Sequence, residues 1–155
     1  MMYSNNLICD ILIYIDDNIS NKITIEDLEN KFFYNRYYIM KLFKKEMGIT
    51  LINYINSIRI YNSITLIKES NNSLLNIAFK CGFYSIEYFS ETFKKIIGVN
   101  PEIVKQYLRK KVVVKKMDII NNSILNLYNL KKFKERYLLN RKPDNPPIKK
   151  LSIFK

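Results

Sequence analysis

One segment of this chain occurs twice, 50 positions apart. The stretch from Phe33-Tyr34-Asn35 to Lys44-Lys45-Glu46-Met47-Gly48 aligns with the stretch from Phe83-Tyr84-Ser85 to Lys94-Lys95-Ile96-Ile97-Gly98. Phe, Tyr, Tyr, Phe, Lys, Lys and Gly fall in register, and apolar residues replace apolar ones at Ile39/Phe89 and Met47/Ile97. Each copy reads as a polar N-cap, a helix and a glycine stop. Two copies are too few for a solenoid. They describe a duplicated helical module, and a short helix expected before each copy makes helix-turn-helix the first candidate.

The rest of the pattern is helical as well. Leu7, Ile8, Ile11, Leu12 and Ile15 form one stripe, ended by Asp16-Asp17-Asn18. Thr24 opens a short helix, with Asp27 three positions on as an approximate capping box and Ile25, Leu28 and Phe32 as its buried face. Asn35 caps the next helix, which stops at Gly48. Thr50 begins a longer one to about Lys68, apolar on several faces, as suits a connector between two small subdomains. Ser73 caps a short helix that stops at Gly82, and Ser85 caps one that stops at Gly98. Asn100-Pro101 opens a helix through about Lys110. Asp118 to about Leu139 is amphipathic, Val112-Val113-Val114 fits helix or strand, and Arg141–Lys155, with three prolines, reads as an extended arm. Phe43, Phe93, Tyr38 and Tyr88 recur at helical spacing and are expected in the core. The fold class expected is all-α: two helix-turn-helix subdomains, each a homeodomain-like three-helix unit, joined by a long connector helix, plus a basic C-terminal extension. Residues 1–110 form the first division and 111–155 the second.

Charge points to a polyanion. The net charge is +12, but residues 1–110 carry 14 basic and 11 acidic side chains while residues 111–155 carry 12 and 3. Most of the excess therefore lies outside the duplicated part. Cys9 and Cys81 sit in apolar surroundings and read as reduced core thiols. No run of 18 apolar residues occurs, because Asp10 interrupts the best candidate. Histidine is absent, and so are GxGxxG, P-loop and CxxC patterns. The commonest general base and metal ligand is thus missing, and no enzyme, cofactor or metal is expected.

In this order and spacing, the segments Ile77-Ala78 to Gly82-Phe83, Tyr88-Phe89-Ser90 to Phe93-Lys94-Lys95, and Gly98-Val99-Asn100-Pro101 resemble the DNA-binding domain of AraC/XylS-type transcription regulators. Leu42 to Gly48 and Arg59 are similar to the matching positions of the first half, and the resemblance covers roughly residues 7–110. In such domains the second helix of each motif enters the major groove and the first crosses the backbone. Two motifs on one connector address successive groove segments about 34 Å apart, so a monomer reads an asymmetric site.

Carried over residue by residue, the resemblance implies base reading by Arg36, Tyr37, Met40 and Lys41, and by Ile86, Glu87, Ser90 and Glu91. Arg36 and Lys41 suit guanine, Tyr37 and Met40 a thymine methyl, and Glu91 a cytosine amino group. Backbone contacts fall to Thr24, Lys44, Lys45, Arg59, Ser73, Lys94 and Lys95, the two caps acting with the amides of the helices they start. The family usually has arginine at the position of Glu91 and alanine at that of Glu29. The resemblance also implies double-stranded DNA and RNA polymerase as partners, a monomer on DNA and a cytoplasmic, bacterial-type regulator. No sensory domain is expected ahead of residue 7, which in this family goes with control by abundance or with a regulatory domain at the other end. Two other readings stay open. One is an RNA-binding helical protein, suggested by twelve tyrosines and opposed by their mostly core-facing positions. The other is a helical interaction module that has lost groove reading, for which the acidic pair Glu87 and Glu91 speaks.

Overall fold

The computed structural model describes residues 3–110 and 115–140, and these form eight α-helices with no strand. They are α1 (Tyr3–Asn18), α2 (Ile25–Phe32), α3 (Arg36–Met47), α4 (Leu51–Glu69), α5 (Leu74–Lys80), α6 (Ile86–Ile97), α7 (Pro101–Lys110) and α8 (Met117–Leu139). Val112 to Val114 and the arm from Arg141 lie outside the described residues. The chain divides into two compact units, residues 1–55 with 129–155, and residues 56–128. The cut passes through α4 and α8, so each of these helices contributes to both units.

In the first unit, α1 buries Leu7, Ile8, Ile11, Leu12 and Ile15 on the stripe its spacing predicts. Leu28 of α2 and Ile39, Leu42, Phe43 and Met47 of α3 complete the three-helix core, and Tyr54 of α4 closes it with its ring 5.4 Å from that of Phe43. Ile25 and Phe32 are only partly buried. The last part of α8 also belongs to this unit. Phe133 and Tyr137 are buried, Lys134 Nζ donates to Asp16 Oδ2 at 2.8 Å, and the Tyr137 hydroxyl donates to Glu46 Oε2 at 3.4 Å.

In the second unit a single core gathers Ile60, Ile64 and Ile67 of α4, Leu74, Ile77 and Ala78 of α5, Phe89, Phe93 and Ile97 of α6 and Val104 of α7. Phe83 joins it from the turn between α5 and α6, while α8 adds Ile120 and Leu127. Arg109 ties down the end of α4: its Nε donates to the Ile67 carbonyl at 2.7 Å and its Nη2 to that of Asn72 at 2.9 Å. Ser123 Oγ donates to the Ile97 carbonyl at 3.0 Å. Burial pushes the Cys81 thiol up to about 11, as expected of an inert core cysteine.

Two expectations about aromatic residues are overturned. Tyr38 and Tyr88 are not core residues but stand about half exposed. Tyr38 stacks on Tyr34 at 5.3 Å, while the Tyr88 hydroxyl accepts from Asn56 Nδ2 at 2.9 Å. A phenol at the edge of a small core keeps its polar end in water or on a partner. Nor do the tyrosines mostly face inward. Tyr34, Tyr37, Tyr38, Tyr84, Tyr88 and Tyr128 are all exposed, and among the described side chains only Tyr54 and Tyr137 are buried.

Candidate nucleic-acid interface

Each motif is built by the same local rules. Thr24 caps α2 through a complete capping box. Its Oγ1 accepts from the Asp27 amide at 3.1 Å while its own amide donates to Asp27 Oδ2 at 2.8 Å. The Thr24 hydroxyl also donates to Asp27 Oδ2 at 2.6 Å, and this bond, with that from the Thr24 amide, holds the Asp27 carboxyl below the usual range. Asn35 Oδ1 accepts from the Tyr37 amide at 2.8 Å to start α3. In the second motif Ser73 Oγ accepts from the Asn76 amide at 3.2 Å, and Ser85 Oγ from the Tyr88 amide at 3.1 Å. Gly48 and Gly98 then close α3 and α6 in the left-handed region, at φ +74° and +92°.

Both helices run 12 residues and expose the face expected to read bases. Along α3, Arg36, Tyr37, Met40, Lys41, Lys44 and Lys45 are exposed, opposite the buried stripe. Tyr37 is 76% exposed. Along α6, Glu87, Glu91, Lys94 and Lys95 are exposed and Ile86 and Ser90 half-buried, opposite Phe89, Thr92, Phe93 and Ile97. The outward face of α3 carries Arg36, which Glu29 pairs, and then Lys41, Lys44 and Lys45; that of α6 is acidic in its first turns and basic in its last.

Five of the expected contacts come together around one groove of the first unit. Thr24, Tyr37, Met40, Lys41 and Lys44 line a cavity of about 560 Å³, backed by Ile23, Ile25, Leu51, Ile52 and Ile55. Thr50 lines it too, where its Oγ1 accepts from the Asn53 amide at the start of α4. Lys41 and Lys44 stand at this groove with Thr24 and Thr50, but its wall is mostly apolar. Sequence reading named Ile25, Leu51, Ile52 and Ile55 of this wall only as apolar residues of their helices and did not single out Ile23.

Two expected contacts stand differently. Arg59 is buried, 6% exposed, with its guanidinium 5.9 Å from the Phe83 ring centre. Burial lowers its pKa. A side chain enclosed in this way packs the second unit and does not reach out to a phosphate. Arg36 is exposed but engaged. Its amide donates to Glu29 Oε1 at 2.7 Å, its Nε to the same oxygen at 3.1 Å and its Nη2 to Oε2 at 2.7 Å. Glu29, where the family pattern has alanine, thus caps α3 and grips its first side chain.

A family model described as a helix-turn-helix domain matches residues 28–107, more than half of the chain. The chain belongs to the AraC-type helix-turn-helix family. Among its relatives, the transposon Tn10 TetD protein of Escherichia coli is 31% identical over 104 residues, 67% of this chain and 75% of that protein. The HTH-type transcriptional activator AarP of Providencia stuartii is 26% identical over 103 residues, 66% of this chain and 76% of that protein. The DNA-binding domain of AdpA, solved in complex with a target DNA, superposes with a TM-score of 0.63 at 17% identity, over 67% of this chain and 94% of that one. This last likeness is one of fold. Among the described residues, no helix of this AraC-type chain is long and apolar enough to cross a membrane, and no cluster of His, Cys, Asp or Glu suits a metal.

Proposed function

We propose that this AraC-type chain is a sequence-specific, duplex-DNA-binding transcription regulator. Helices α3 and α6 enter major-groove segments, and the protein binds as a monomer in the cytoplasm and acts on RNA polymerase. The observation that carries the reading is the pair of 12-residue helices, each capped and each buried along one stripe, with Arg36, Tyr37, Met40 and Lys41 exposed on α3 and Glu87 and Glu91 on α6. In the first motif Tyr37, Met40 and Lys41 meet bases, with Arg36 at the helix start, while Thr24, Lys44 and Lys45 hold phosphates. In the second, Ile86, Glu87, Ser90 and Glu91 face the bases, and Ser73, Lys94 and Lys95 the backbone. Residues 1–110 carry the reading; the segment after them adds positive charge, and α8 adds packing.

The test is a salt titration of binding to duplexes selected from a random library. With roughly 6–10 phosphates contacted, affinity falls about 10³–10⁵ between about 50 and 200 mM salt. An affinity indifferent to salt would end this reading. The six exposed tyrosines favour a second one, stacking on single-stranded RNA. Single-stranded RNA competing better than duplex DNA in the same titration would select it.

A further inference from the structure

Glu29 receives three hydrogen bonds from a single residue, two of them from one edge of the Arg36 guanidinium. A guanidinium is a rigid planar fork with two bidentate edges. The Nε–Nη2 edge is taken by the carboxylate, which leaves the Nη1–Nη2 edge, a pair of N–H groups that fits O6 and N7 of guanine. Both side chains are solvent-accessible, so the ion pair by itself adds little stability. What the bidentate geometry supplies is orientation. The side-chain and backbone hydrogen bonds from Arg36 hold the Glu29 carboxyl below its ordinary range, so it is charged at neutral pH.

We infer that Glu29 is a positioning residue that sets specificity: its carboxylate holds the Arg36 guanidinium edge-on at the start of α3 and fixes which donors meet a guanine. The inference rests on α3 being a reading helix and names the device by which its first side chain reads. A flexible arginine must lose its rotamer freedom when it binds a base; one already gripped has lost it on folding, so correct pairing is favoured over near misses. The carboxylate also adds a negative charge beside the DNA. Its removal therefore strengthens general binding unless it positions something, and this opposition in sign makes the idea testable.

The experiment measures binding of the full chain to a library-selected duplex and to its single-base-pair variants. Wild type is compared with Glu29→Gln, Arg36→Ala and the double variant, and helix content is checked by circular dichroism. Glutamine keeps an oxygen to accept from the Arg36 amide, so the helix cap survives while the ion pair is lost. Arg36→Ala is expected to lose roughly 5- to 150-fold discrimination at one G·C pair. Glu29→Gln should lose most of that discrimination at the same pair while binding to other sequences stays equal or tightens. The double variant should discriminate no worse than Arg36→Ala. Uniformly tighter binding by Glu29→Gln with discrimination intact overturns the proposal, as does a gain of discrimination, which would mean that Glu29 holds Arg36 back. Intact discrimination in Arg36→Ala overturns it too. In that case loss of discrimination in Lys41→Ala leaves α3 a reading helix, whereas intact discrimination there removes the underlying reading as well.

Discussion

The two helix-turn-helix motifs share their caps, their glycine stops and their buried stripe, yet they present different surfaces. Positions 36, 37, 40 and 41 of the first hold Arg, Tyr, Met and Lys; the matching 86, 87, 90 and 91 hold Ile, Glu, Ser and Glu. Among the expected contacts only the lysine pairs, Lys44-Lys45 and Lys94-Lys95, are the same in both motifs, with the exposed Tyr38 and Tyr88 matching beside them. The fold of a three-helix unit depends on a few inward residues and caps, so duplication preserves those and leaves the outer face free to diverge. The exposed cations of the first helix run from Arg36, paired with Glu29, to Lys45, whereas those of the second lie only in its last turn.

The turns differ as well, and in a way the aligned sequences conceal. Phe33 and Phe83 fall in register, but Phe33 is 90% exposed and Phe83 is 2% exposed. After α5, Gly82 takes the left-handed conformation at φ +92° and the next amide, that of Phe83, donates back to the Ala78 carbonyl. Such a closure turns the following side chain onto the helix it ends, which seats Phe83 in the core. After α2 no glycine is available, and Phe33 itself takes the left-handed position at φ +59°. Its turn reaches the next N-cap one residue sooner, at Asn35 rather than Ser85. The residue that folds back is then Tyr34, stacked on Tyr38, and Phe33 is left in water.

If the shared inner framework is what holds both motifs, the same cut should hurt both. Phe43→Ala and Phe93→Ala each remove a fully buried ring, and each is expected to cost about 3–5 kcal/mol in denaturant unfolding. A large effect in one and a small effect in the other would break the equivalence of the two cores.

The outer faces should respond with opposite signs. Lys41→Ala is expected to weaken binding and to lose about 1–3 kcal/mol of discrimination at one base pair. Glu91→Ala should instead tighten binding to every sequence alike, because two acids, Glu87 and Glu91, lie a turn apart on one face and repel phosphate. A loss of discrimination in Glu91→Ala without a general gain would place that carboxylate on a cytosine and make the second motif a full reader.

The smallest effects test the turns. Phe33→Gly relieves a non-glycine residue in the left-handed region, which costs roughly 1–2 kcal/mol, against about 0.5–1 kcal/mol of extra chain entropy for glycine. A net stabilisation of about 0.5–1 kcal/mol should appear as a higher melting temperature. Gly98→Ala is the converse. Its φ is +92°, and an added Cβ would stand 2.9 Å from Ile119 Cγ2 of α8, so a loss of about 2 kcal/mol is expected. Destabilisation by Phe33→Gly would mean that the exposed ring packs on something in the free protein.

Much of this protein is local, and the sequence by itself determined that much. Caps at Thr24, Asn35, Ser73 and Ser85, stops at Gly48 and Gly98 and apolar residues at helical spacing are interactions among neighbours in the chain, so helix order, fold class, family and the outward face of each reading helix follow from reading along it. Only the tertiary structure decided the rest, because those outcomes depend on residues distant in sequence. Arg59 looked like a surface cation until the packing of Phe83 enclosed it. Tyr38 and Tyr88 share the spacing of core residues but lie where each small core meets water. Residues 117–139 looked like part of an added extension, yet Ile120 and Leu127 sit in the core of one unit and Tyr137 in that of the other. Glu29 looked like a departure from the family pattern, until the turn after α2 brought Arg36 back to 2.7 Å from its carboxylate.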